Sequence, residues 1–159
     1  MPPVLTATQE FSLWMVRVSF LLYVVALVRF SRGLWTAACG FYLLHMITAF
    51  AFFHNFSHRE AYEATARQTQ ALLGVHYGGG LYWNYAFTAV WIGDVLWAWM
   101  GNYARRARWV SWSIHGFLGF LFFNATVVFG KGWIRWAGAA AFLYLAVRWI
   151  AQRRSTVGR

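Results

Sequence analysis

The chain has 159 residues, 60% of them hydrophobic and only 11% charged, against roughly 45–50% apolar and about 25% charged usage in soluble domains, so composition excludes an ordinary water-soluble domain and points to lipid as the solvent. Lys and Arg number 14 against 4 Asp and Glu, for a net charge of +10, and Lys131 is the single lysine. Such a balance suits nucleic acid, but the bases are scattered through hydrophobic stretches instead of forming a stripe, so membrane topology explains them better and no nucleic-acid partner is expected.

Residues 1–10 carry no positive charge ahead of the first apolar run. That is the wrong character for the basic start of a cleaved signal peptide, and the first helix is expected to be retained. A first span covers residues 11–28, closed by Arg29 and Arg32, and a second covers 34–54, so the two form a tight helical hairpin. Cys39 lies inside the second span as the single cysteine; no intrachain disulfide can form and no CxxC zinc pattern exists.

The 55–80 segment is different in kind, because polar residues return and helix punctuation appears at both ends. Ser57-His58-Arg59-Glu60 reads as a capping box that opens a short helix over 58–73, stopped by Gly74. Its apolar residues Ala61, Tyr62, Ala64, Leu72 and Leu73 place it at the outer interface or against the bundle. Gly78-Gly79-Gly80 then turns the chain into the third span, as a flexible turn in the simplest reading and as a close backbone approach in the alternative.

A third span covers 81–100, a fourth 111–129 and a fifth 133–150, each near the ~20 residues that cross the hydrocarbon core. The fold class is therefore all-α: a polytopic membrane helix bundle of about five transmembrane helices plus one short interfacial helix, in a single integral membrane domain over 1–159. Reading the fourth and fifth segments as re-entrant is the competing topology, which their lengths disfavour. Arg29, Arg32, Arg105, Arg106, Arg108, Arg148, Arg153, Arg154 and Arg159 fall on one side of this arrangement; Arg59, Arg67, Lys131 and Arg135 fall on the other with Glu10, Glu60 and Glu63. Positive-inside reasoning then puts the N-terminus outside and the C-terminus in the cytoplasm. With 11 Trp, 8 Tyr and 15 Phe, the aromatics exceed two interface belts, so some pack between helices or face lipid; a chromophore or quinone site is the more specific alternative.

Asp94 is the only aspartate and the only acidic residue well inside a span. A charge in lipid costs about 2.5–3.5 kcal/mol on insertion scales and faces a partner or a cavity. Asp94 lies ~9 Å from its end of the third span and His115 ~6 Å into the fourth from the same side. Asp94 shares a helical face with Phe87, Trp91, Ala98 and Gly101, and His115 with Ser111, Gly119, Phe122 and Thr126. An Asp94–His115 hydrogen bond or ion pair is expected, with Arg105, Arg106 or Arg108 as rival partner; it either fixes helix packing or serves proton transfer or metal ligation, which makes both residues catalytic candidates.

At the other surface the second span ends in His54-Asn55-Phe56-Ser57-His58, and the loop adds Glu60, Glu63 and His76. Histidines at i and i+4 share a helical face and can bind one divalent metal, here His54 and His58 with His76, while Glu63 completes the ligand set or acts as general base. That geometry fails if the chain turns at Ser57. His45, mid-membrane and about 180° in phase from His54, is the candidate single ligand of a haem or pigment; the plainer reading is a hydrogen bond across helices, to Thr48 or a neighbouring hydroxyl. Arg17 is placed to snorkel outward or meet Glu10, Glu60 or Glu63. Asn124 lies opposite His115 in phase and belongs to another interface.

No phosphate-binding glycine loop, nucleophile elbow or reactive-cysteine context is present, and five histidines do not match the eight-histidine pattern of membrane desaturases and hydroxylases. The favoured function is a non-catalytic or cofactor-contacting subunit of a larger membrane complex, with the bilayer and other membrane subunits or further copies of itself as partners. The first alternative is a metal-dependent membrane enzyme or redox protein using the outer His/Glu cluster. The second is a transporter, which needs an oligomer because five helices enclose little internal volume.

Overall fold

The structure, a computed structural model, describes residues 6–101 and 103–157; Arg159 lies outside them. No strand occurs among the described residues, and six α-helices follow one another: α1 Ala7–Val28, α2 Arg32–His54, α3 His58–Leu73, α4 Gly80–Trp99, α5 Arg108–Phe123 and α6 Trp133–Val157. A 3-10 turn, Tyr103–Arg105, precedes α5, and a π-helical segment, Asn124–Val128, continues it. Among the described residues, four helices are long and apolar enough to cross a membrane: α1, α2, α5 with its π segment, and α6. The segment predicted as the third span forms α4, 20 residues long, but Tyr, Trp, Asn84 and Asp94 dilute its hydrocarbon character.

Helix ends follow local chemistry. α1 starts four residues earlier than the apolar run suggests, because Thr6 and Gln9 form a reciprocal capping box. Ser31 caps α2 through the Leu34 amide at 3.1 Å. Of the box expected at Ser57, only half is made: the Ser57 hydroxyl takes the Glu60 amide at 3.2 Å, whereas the Glu60 carboxylate accepts from Asn55 Nδ2 at 3.4 Å. α3 ends at Gly74 in the left-handed conformation, φ 74°.

The chain divides into two compact units, Met1–His115 and Gly116–Arg159. In the first, α1 and α2 form an antiparallel hairpin stitched by polar groups. Ser19 Oγ donates to the Ala38 carbonyl at 2.8 Å; Ser12 meets His45 and Thr48; Gln9 Nε2 donates to the Phe52 carbonyl at 3.2 Å. Bonds of this kind hold apolar helices together where a hydrophobic driving force between them is weak. α4 packs on α2, and α3 packs on both. The aromatics do fill this core: Trp35, Trp91, Tyr23, Tyr42 and Phe87 form a continuous column with ring centroids 4.6–5.9 Å apart.

The glycine run before α4 serves a close approach. A Cβ on Gly78 would strike the Tyr62 carbonyl and ring, and one on Gly80 would sit 3.0 Å from Thr65 Cγ2, so α3 seats against this turn through its Tyr62–Thr65 edge. Ala61 and Ala66 of α3 are buried while Leu72 and Leu73 are exposed.

In the second unit the π segment packs on α6. Gly138 lies directly against Thr126, and Arg135 donates to the Gly130 carbonyl at 3.1 Å and the Val128 carbonyl at 3.2 Å. These bonds satisfy main-chain acceptors that the end of a helix leaves open.

Candidate functional site: a closed Asp94–Arg106 pair

Asp94 stands on the buried face of α4 with Leu81, Phe87, Trp91 and Ala98. Its side chain is 0% exposed and pairs with Arg106, whose side chain is 4% exposed. Arg106 is one of the three rivals considered above, and it takes the place expected of His115. Arg106 Nη1 donates to Asp94 Oδ1. Oδ2 accepts from Trp35 Nε1 at 2.9 Å and from the Tyr103 hydroxyl at 3.3 Å. Each carboxylate oxygen is thus engaged by α2 or by the segment between α4 and α5.

The guanidinium is equally occupied. Its Nε donates to Ser111 Oγ at 2.7 Å and its Nη2 to the Tyr103 hydroxyl at 2.8 Å, while its plane lies 3.9 Å from the Tyr103 ring centroid. His115 Nε2 is 3.5 Å from Nη2. A guanidinium only donates, so Nε2 is the acceptor and Nδ1 carries the imidazole proton. That Nδ1 is enclosed and has no hydrogen-bond partner among the described residues. His115 therefore flanks the pair and contributes to it weakly.

Tyr103 lies in the loop, outside the helices, and burial followed by the Asp94 carboxylate pushes its phenol up to about 12. It accordingly holds its proton and donates it to the carboxylate. Trp35, which is 0% exposed, and Tyr103 are the members of this site that sequence reasoning missed. Depth is the signal that finds Trp35: it lies one turn inside α2 at the same end of the hairpin as Asp94. Phe30 stacks on Tyr103 at 5.2 Å and 9°, bringing the α1–α2 and α4–α5 loops together. A shallow apolar groove of about 150 Å³ between α2 and α4, lined by Thr36, Cys39, Gly40, Leu43, Ile92, Val95 and Leu96, does not include Asp94.

The backbone does not form the shared i,i+4 face expected of His54 and His58. Asn55 and Phe56 both take left-handed conformations, φ 47° and 56°, and Ser57 N–H donates to the His54 carbonyl at 2.6 Å. α2 therefore ends at His54, and His58 begins a new helix on a different axis, so the shared i,i+4 face is lost. His58 Nδ1 instead meets the Tyr85 hydroxyl at 3.0 Å. His76 Nε2 lies 3.5 Å from Glu63 Oε2, both half exposed. No group of three His, Cys, Asp or Glu among the described residues is placed to hold a metal.

His45 makes the helix-crossing bond, to Ser12 rather than Thr48. Its Nδ1 lies 2.9 Å from the Ser12 carbonyl, which can only accept, so Nδ1 carries the proton and Nε2 the lone pair. Thr48 joins the same knot through Ser12 Oγ at 2.9 Å. Arg17 lies over the Trp14 ring at 4.9 Å. Asn124 donates to the Phe120 carbonyl at 2.7 Å.

Comparison with protein-family models, with curated proteins and with solved structures gave no match.

Proposed function

We propose that this chain is a non-catalytic integral membrane subunit, which acts through contacts with membrane partners and not through a reaction of its own. The observation that carries this is the closure of Asp94: the chain's only aspartate is bonded by Trp35, Tyr103 and Arg106 and has no exposed side-chain surface. A group that must exchange protons or ligands needs a route to them. A satisfied, enclosed pair instead fixes which helix faces meet. Against this interior, large apolar residues stand exposed on α5 and α6, among them Trp112, Phe120, Trp136, Leu143 and Val147, as expected of helices whose surroundings are lipid or other subunits.

α4, third in chain order among the spans, brings their number to five in this reading. Its 20 residues rise ~30 Å, the thickness of the hydrocarbon core, and its single charge is neutralised by Arg106. α3, with Ala61 and Ala66 inward, lies at the outer interface, and the arginine bias puts the C-terminus in the cytoplasm. Reporter fusions at the two ends test the count: five spans put them on opposite sides, four on the same side.

A cofactor-contacting variant of the proposal is favoured at one residue. Ligating histidines usually donate the other ring N–H to a carbonyl or carboxylate, and His45 does so to Ser12, leaving Nε2 as the nitrogen that would hold a haem or pigment. Purification in mild detergent with native mass spectrometry and an optical spectrum decides among these outcomes. Co-purifying subunits support the main reading, and a Soret or pigment band abolished by His45→Ala supports the variant. A colourless, monodisperse monomer overturns both.

A further inference from the structure

The end of the Met1–His115 unit formed by the α1–α2 and α4–α5 loops carries an uncompensated positive surface. Arg29 and Arg32 flank the first loop, and Arg105 and Arg108 flank Arg106 in the second. All four are exposed, and no hydrogen bond or ion pair engages their guanidinium groups among the described residues. Counter-charge within the unit is spent elsewhere. Glu10 lies in the first turn of α1 and Glu60 and Glu63 in α3, at the opposite end of the α1–α2 hairpin, and Asp94 is consumed by Arg106. The Phe30–Tyr103 stack, 5.2 Å and 9°, holds the two loops against each other, and Trp99 Nε1 donates to Thr36 Oγ1 at 2.9 Å beside them. Packing thus gathers the two loops that the four arginines border at one end of the unit.

We propose that this face binds an anionic phospholipid, its phosphodiester taken by Arg29, Arg32, Arg105 and Arg108 and its upper acyl region by the exposed apolar side chains among them. Two features select a lipid over a free phosphate. Guanidinium groups engage phosphate oxygens in bidentate fashion, which supplies the anion recognition. Phe30, Trp99, Met100 and Trp109 are 48–77% exposed around the same loops; such a border is unfavourable in water and suited to the headgroup–acyl boundary, where aromatic residues concentrate. The proposal rests on the bilayer-embedded reading but not on the subunit reading.

The full chain reconstituted in phosphatidylcholine vesicles, with trace spin-labelled phosphatidylglycerol or phosphatidylcholine, tests it through the motionally restricted fraction of each label. Wild type is expected to prefer phosphatidylglycerol severalfold, with no loss of that preference in excess inorganic phosphate. The R29Q/R32Q/R105Q/R108Q variant is expected to bring the ratio to about one, the four corresponding Lys substitutions to retain part of it, and R59Q/R67Q at the other end to leave it unchanged. Each single Gln variant, which keeps three of the charges and serves if the quadruple variant does not fold, lowers the preference by up to about fivefold. An unchanged ratio in these Gln variants overturns the proposal, and displacement by inorganic phosphate reassigns the face to a free anion and overturns the lipid. A chain that inserts but shows no preference fails this inference alone. One that stays out of the vesicles fails the membrane reading as well.

Discussion

The Trp35 indole N–H meets the Asp94 carboxylate at 2.9 Å across the α2–α4 interface, with both side chains buried. This bond links the hairpin to the helix that carries the chain's only aspartate. It leaves the second carboxylate oxygen for Arg106, so the charge is neutralised by a residue twelve positions along the chain.

Replacing Asp94 with Asn removes the counter-charge of a guanidinium that is itself enclosed. Breaking a buried pair from one side costs about 3–5 kcal/mol, whereas replacing both members with apolar residues of similar volume is often neutral. Asp94→Asn is therefore expected to lower the unfolding free energy in detergent by that amount, and Asp94→Leu combined with Arg106→Leu to recover most of it. The double-mutant cycle reads the coupling directly. An Asp94→Asn protein as stable as wild type would remove the structural role assigned to the pair.

The Tyr103 phenol supplies a pH signature. Its folded value is raised from the usual 10 to about 12, so the folded state holds the proton more tightly than the unfolded chain. The sign follows: the contribution is fully present below pH 10 and is lost as pH rises from 10 to about 12. Wild type should thus lose stability relative to Tyr103→Phe across that window. Difference absorbance at 295 nm should show the tyrosinate of Tyr103 forming only near its upper edge, and ionisation near pH 10 would contradict the enclosure described.

What sequence reasoning reached here, and what it did not, divides along physical lines. Long apolar runs identified α1, α2, α5 and α6, because lipid solvation imposes length and composition directly. Asp94 stood out because a charge in such a run is expensive, and its face with Phe87, Trp91 and Ala98 is the buried one. Its partner was not legible: whether Arg105, Arg106 or Arg108 points inward is set by the 3-10 turn Tyr103–Arg105, which has no periodicity to read. Trp35 carried no chemical mark among many tryptophans, and only its depth in α2 set it level with Asp94. The failure of the His54/His58 pair turns on left-handed backbone at Asn55 and Phe56; asparagine tolerates that conformation, but a bulky phenylalanine gives no hint of it.

His115 separates a packing role from proton transfer. Its protonated Nδ1 is enclosed without a partner among the described residues, an arrangement that costs about 1–3 kcal/mol, and its contact to Arg106 is long, 3.5 Å. His115→Phe keeps the ring and its edge contact with Trp35 while removing that unsatisfied donor. A stability within about 1 kcal/mol of wild type is expected in the same denaturation assay. A loss as large as that of Asp94→Asn would show that His115 carries part of the pair's stabilisation.

The outer histidines lead to an expectation about metal. With His58 turned to Tyr85 and His76 to Glu63, a bound ion has no three-ligand site among the described residues, and weak one- or two-ligand binding is the most these side chains offer. Elemental analysis after dialysis is expected to give the same substoichiometric zinc for wild type and for His54→Ala/His58→Ala. Stoichiometric metal lost in the double variant would require a rearrangement of the Asn55–Ser57 turn.

In the Gly116–Arg159 unit the contact between the π segment and α6 depends on the absence of one methyl group. A Cβ at Gly138 would sit 2.6 Å from Thr126 Oγ1 and 2.7 Å from its Cβ, and Thr126 has little freedom to withdraw, since its hydroxyl donates to the Phe122 carbonyl at 2.8 Å. Overpacking of this kind costs about 1–3 kcal/mol. Gly138→Ala should therefore destabilise the hairpin by that amount, whereas Ala137→Gly on the adjacent, exposed position changes only helix propensity, by at most about 1 kcal/mol. Thr126→Gly in the Gly138→Ala background removes both clashing atoms and should restore part of the loss. Proteolytic sensitivity of the 129–132 turn reports it: faster cleavage in Gly138→Ala, slowed again in the double variant, is the expected order, and equal rates in all three proteins would rule out a close contact at this crossing.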